Sequence, residues 1–138
     1  MPANTTPIFG LTPNVTKVRV ITANTTRDLS VTTNSVLSFT AGTNGSRVER
    51  ITFTHVASNQ TTASVAAVVR IYITDTAIAN PILYKEIGIA LVTPSATAIG
   101  ATTQLVIPGG IFIPSGQFMY VTTSATTNWD VVTEGYDY

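Results

Sequence analysis

Apolar and polar residues alternate along much of this chain with the two-residue period of a β-strand. In VVRIYIT, Val69, Ile71 and Ile73 fall on one side, while Arg70, Tyr72 and Thr74 fall on the other. Ile51 and Phe53 alternate with Thr52 and Thr54 in the same way. Runs rich in Val, Ile, Thr, Tyr and Phe predict strands over residues 15–23, 35–41, 47–57, 65–74, 82–91, 102–107, 111–113, 117–124 and 128–134. The segment 111–113 joins loosely to the strand before it. No window carries a sustained apolar stripe at helical spacing. ASNQTTASVAAV, residues 57–68, reads as loop leading into strand, because Thr, Ser and Val lose more than they gain in a helix.

Asparagines punctuate these runs at positions 4, 14, 24, 34 and 44. Such a spacing fits one short strand plus one turn, and Asn suits turns because it tolerates left-handed backbone and bonds its own chain. Asn44-Gly45 predicts a type I′ hairpin turn. About eight short strands read as an all-β, antiparallel two-sheet sandwich, jelly-roll-like, with an immunoglobulin-like topology as the alternative. The 138 residues suffice for one such core, expected as a single β-sandwich domain over residues 15–138. Residues 1–14 read as an extended arm, because Pro2, Pro7 and Pro13 fix their own backbone and supply no N–H to a ladder. The arm carries Ile8, Phe9 and Leu11, three candidate contacts with another subunit or a shell.

Charge changes the picture by its scarcity. Seven basic and seven acidic residues make up 10% of the chain, against about 25% in an average domain. No basic stripe is present to neutralise phosphates, so a nucleic-acid partner is not expected. A near-neutral surface favours association, so the expectation is a homo-oligomer. Met1 is not followed by a basic segment and an apolar run, and no stretch approaches the roughly 18 apolar residues of a membrane span. Neither secretion nor a membrane is therefore expected, and the five N-x-[ST] matches at Asn4, Asn14, Asn24, Asn44 and Asn59 read as turn and strand punctuation rather than glycan acceptors.

Candidate chemistry is sparse. His55 is the only histidine, and it follows Ile51 and Phe53 on the alternating face, which fits a half-buried strand residue. Cysteine is absent, the acids form no calcium-loop pattern, and VIPGG at 106–110 precedes neither a lysine nor a helix, so it reads as a turn. The expectation is a protein without catalytic residues, metal or cofactor. Trp129 shares an inward face with Val131 and is expected in the core, whereas Tyr136 and Tyr138 follow Gly135 and are candidate contact residues. Arg47 and Glu49 are expected on one face of their strand with Arg50 on the other, and Arg70 is expected to pair with Glu86 or Asp75.

NGSRVERITF, VVRIYITDT, ILYKEIGI, IPSGQFMYVTTS and NWDVVTEGYDY, in this order over residues 40–138, resemble a family of small tailed-bacteriophage virion structural proteins. The resemblance runs through Asn44, Gly45, Arg47, Val48, Arg50 and Ile51, then Val69, Arg70, Ile71, Ile73 and Asp75. It continues through Leu83 and Glu86, then Pro114 and Gly116. The chain ends Gly135-Tyr136-Asp137-Tyr138, departing at Tyr136 from the family's Gly-Gly-Asp-aromatic ending. The resemblance implies a non-enzymatic capsid decoration or auxiliary protein, of cement or head-fibre-associated type. It further implies virion partners such as a major capsid protein, a trimeric state, and assembly in the bacterial host cytoplasm. The alternative is a receptor- or carbohydrate-binding module of a tail or fibre, using Tyr136, Tyr138 and Trp129.

Overall fold

The structure, a computed structural model, describes residues 12–56, 62–75 and 78–138. They form eight strands: β1 (Thr12–Val20), β2 (Val36–Thr40), β3 (Ser46–His55), β4 (Ala67–Thr74), β5 (Ile82–Ile89), β6 (Thr102–Ile113), β7 (Phe118–Thr123) and β8 (Trp129–Asp137). One sheet has the order β1-β8-β3-β6 and the other β2-β7-β4-β5, with antiparallel neighbours throughout. The pairs β1·β8, β2·β7, β3·β6 and β4·β5 are nested, and successive pairs fall in alternate sheets. That is a long hairpin rolled into a two-sheet sandwich, the jelly-roll order, and it excludes the immunoglobulin-like alternative.

The alternation sets the core. Val69 and Ile71 on β4 face Ile51, Phe53 and Val131 across the sandwich, and Trp129 is fully buried among them. Each such side chain removed from water stabilises the fold by about 1.5–3 kcal/mol. His55 is opposite Trp129 in the β3–β8 register, buried, with the rings edge-on at 5.6 Å. It packs as a strand residue.

Several boundaries differ from the sequence reading. β1 begins at Thr12 and ends at Val20, so the arm expected over 1–14 gives its last three residues to a strand. Pro13 fits there because β1 is an edge, where a missing N–H breaks no ladder. Ile8, Phe9 and Leu11 lie outside the described residues. Segments 102–107 and 111–113 are one strand kinked between them: Val48 pairs with Ile111 but Arg50 with Val106, and Gly109 and Gly110 take φ of 75° and 67°. Asn44-Gly45 is not a type I′ hairpin. That turn needs positive φ at both residues, and of the two only Gly45 has it, at 86°. The turn closes from Gly45 N to Gly42 O at 3.0 Å and carries the chain from β2 in one sheet to β3 in the other.

Asn24 does more than punctuate. Its buried amide donates to Val31 O and Thr33 O at 2.7 and 2.8 Å, and its Oδ1 accepts from Thr26. Its N–H donates to Thr123 O at 2.7 Å, which ties the β1–β2 loop, residues 21–35, to the outside of the second sheet.

Candidate interaction surface

The outward positions of β1-β8-β3-β6 form four rows of four. From one end they read Pro13, Tyr136, Arg47, Phe112; then Val15, Glu134, Arg50, Val106; then Lys17, Val132, Thr52, Gln104; then Arg19, Asp130, Thr54, Thr102. Period-two alternation alone would not give these rows. Val48 and Ile51 are both fully buried although three residues apart, because Glu49 is an extra residue bulged out of β3. The bulge puts Arg47 and Arg50 on the same outward face, not on opposite ones as expected.

Gly135 makes the bulge possible. A Cβ there would sit 2.2 Å from Arg47 O, a distance at which backbone has to move. Gly110 plays the matching part on β6, since a Cβ there would stand 2.5 Å from Arg47 Nε. Arg47 is thus pressed between the β6 kink and the end of β8, and its Nε is buried without a hydrogen-bond acceptor among the described residues. A hydrogen bond with the Tyr138 side chain holds its pKa above the ordinary arginine value.

The first two rows differ from the last two. Val15, Val106 and Phe112 are 51%, 58% and 54% exposed. The Tyr138 ring lies 5.9 Å from those of Phe112 and Tyr136, tilted in the first pair and edge-on in the second. Tyr136 OH donates to Glu49 Oε1 at 3.1 Å; burial and this carboxylate together push its pKa up. Arg50 forms a two-pronged pair with Glu134, whose carboxyl it holds below the usual range. Val15, Glu49, Arg50, Val106, Glu134, Gly135 and Tyr136 line an open concavity of about 390 Å³. The lower rows are polar apart from Val132, with Arg19 bonded to Asp130 by two nitrogens.

The end of β8 is stitched to its surroundings by Asp137. Its Oδ1 accepts from Asn14 Nδ2 at 2.9 Å and from Ser46 Oγ, which in turn accepts from Gly42 N. The same end of the sandwich is closed at its β1/β2 side, where Thr16 Oγ1 donates to Ser38 O and Asn14 Nδ2 to Thr40 O.

The outer face of β2-β7-β4-β5 is built oppositely. Arg70 and Tyr72 share one face as expected, and it is the outward one, yet the 21–35 loop covers them. Arg70 Nη1 donates to Asn24 O, and Tyr72 OH donates to Thr26 O and Arg27 O at 3.3 and 3.1 Å. Arg70 pairs with Glu86 at 2.8 Å, while Asp75 accepts from Asn80 and Gln117. Hydrogen bonds from Arg27 and then Arg70 bring the Glu86 pKa down to about 2.

Of the residues expected at contacts, Tyr136 and Tyr138 come together and are joined by Phe112. Trp129 has no exposed surface, which removes it from the carbohydrate-binding alternative. Phe112 was open to sequence reasoning, since it alternates against Ile111 and Ile113; Arg47, Glu49 and Arg50 were not, because only the bulge unites them. Among the described residues no group of three or more His, Cys, Asp or Glu could hold a metal ion, and no helix is long and apolar enough to cross a membrane. Comparison with protein-family models, with curated proteins and with solved structures gives no match in any of the three.

Proposed function

We propose that this chain is a non-enzymatic structural protein of a bacteriophage virion, a capsid decoration or auxiliary protein of cement or head-fibre-associated type. One observation carries the reading: the open β1-β8-β3-β6 face sets apolar, aromatic and ion-paired side chains side by side on a broad, shallow surface suited to another protein. The fold supports it by analogy only, since jelly rolls recur in viral capsid domains but also in lectins and cupins. The residues that carry the family resemblance have identifiable physical tasks here: Gly45 turns the corner between sheets, Arg70 pairs with Glu86, Gly135 admits the bulge, and Asp137 stitches the last strand. On this reading the partners are a major capsid protein or neighbouring structural subunits, the chain works as a homotrimer, and it is assembled into the virion in the host cytoplasm. Neither nucleic acid nor membrane is a partner.

Quantitative mass spectrometry of purified particles tests the proposal. Hundreds of copies per particle support decoration; low tens would overturn it in favour of a tail device. The second reading, a carbohydrate- or receptor-binding module, is favoured by the Phe112, Tyr136 and Tyr138 rings beside Glu49 and Arg47. Glycan-array binding that disappears on Tyr136→Ala would select it.

A further inference from the structure

We propose that a second copy of this chain covers the open face, related by a two-fold axis running parallel to the strands between β8 and β3. In that arrangement each residue of β8 lies over its row partner on β3 of the other copy, and β1 lies over β6. Glu134 then meets Arg50, Val15 meets Val106, and Tyr136 meets Arg47, as the row memberships dictate. Acid falls on base, methyl on methyl, and ring on guanidinium. A two-fold axis laid across the strands at the same row would set Glu134 on Glu134 and Arg50 on Arg50, so the complementarity selects one orientation. Aligned sheets cross at about −30°, which inclines the axis by half that angle to the strands and leaves the Glu134–Arg50 row, at the centre of the pairing, in register. Each Arg50 already holds the Glu134 of its own chain; pairing the copies makes a four-charge ring flanked by the exposed valines. The contact is isologous, so one patch serves both partners. It does not rest on membership of a virion, and with the proposed three-fold it would build a hexamer.

Sedimentation equilibrium of the full chain at tens of micromolar tests the pairing. A dimer or a hexamer is expected. Arg50→Glu and Glu134→Arg should each weaken association at least about tenfold, and the two together should recover most of it, because both intra- and inter-chain pairs are restored in reverse. Val106→Arg should weaken association similarly while circular dichroism stays unchanged, and thermal unfolding should match the wild type once both are diluted below the association range. A monomer or a trimer in the wild type would overturn the proposal. So would a charge-exchanged pair as weak as its single variants, or an open face that binds only another protein or a glycan.

Discussion

Arg50 and Arg70 occupy equivalent places. Each stands on the outward side of an inner strand and pairs with a glutamate on the neighbouring strand, yet the Arg70 side chain is 8% exposed and that of Arg50 46%. The difference is the 21–35 loop. Over β2-β7-β4-β5 that loop brings backbone carbonyls to Arg70 and Tyr72, a second arginine to Glu86, and the buried Leu29 as an apolar plug. Nothing comparable among the described residues crosses β1-β8-β3-β6. On one side the outward polar groups are paired and covered by a loop of the same chain; on the other they pair along the sheet and stay open to solvent or a neighbour. The covered face is therefore part of the fold's stability, and the open face is available for contact.

Substitutions on the two faces should accordingly read out in different experiments. The largest stability loss is expected at Tyr72→Ala, which empties a fully buried site under the loop and leaves the Thr26 and Arg27 carbonyls without their donor. Denaturant unfolding should register about 3–5 kcal/mol. Gly135→Ala comes next, at about 3 kcal/mol, because the added Cβ meets Arg47 O and the bulge has to open. It is the one change that should disturb both stability and the open face, and a loss below about 0.5 kcal/mol would show that β3 relaxes freely.

A pH titration separates the faces further. The folded pKa of Glu86 is about 2, below its ordinary value of 4.5, through hydrogen bonds from Arg27 and Arg70. The stabilisation from this ion triad is therefore complete above about pH 4.5 and drains away as pH falls toward 2. Thermal unfolding measured across that window should fall more steeply in the wild type than in Glu86→Gln. The smallest effects belong to the open face, where Val15→Thr and Val106→Thr should change stability by no more than about 0.5 kcal/mol. Either valine giving a loss comparable to Tyr72→Ala would mean that the face is part of the core.

Much of this architecture was legible in the sequence, because alternation and turn residues are local signals. Val69, Ile71 and Ile73 announced a shared face, Trp129 its burial, and Arg70 an acidic partner, Glu86 or Asp75, of which the structure uses Glu86. What was not legible depends on pairing between distant strands. The Glu49 bulge shows only when β3 is laid against β8 and β6, and with it the row that joins Arg50 to Glu134 and Val106. Asn44-Gly45 carries a strong hairpin signature, but the rolled topology uses it for a corner between sheets. Residues 24–34, most of the 21–35 loop, have no strand pattern, and the loop's task became visible only through Asn24, whose buried amide organises it. Tyr136 and Tyr138 were found by position alone; the reason they matter, a shared cluster with Phe112 over a pinched Arg47, lies in the three-dimensional arrangement.

Hydroxyl-radical footprinting of the free chain against its assembled state tests most directly whether the open face is the contact surface. Val106, Phe112 and Tyr136 should lose most of their labelling on assembly, while Val31 in the covering loop and Ile82 on β5, both well exposed in the single chain, keep theirs. Protection of Val31 and Ile82 with Val106 and Phe112 still labelled would contradict the account and move the working surface to the other side of the sandwich.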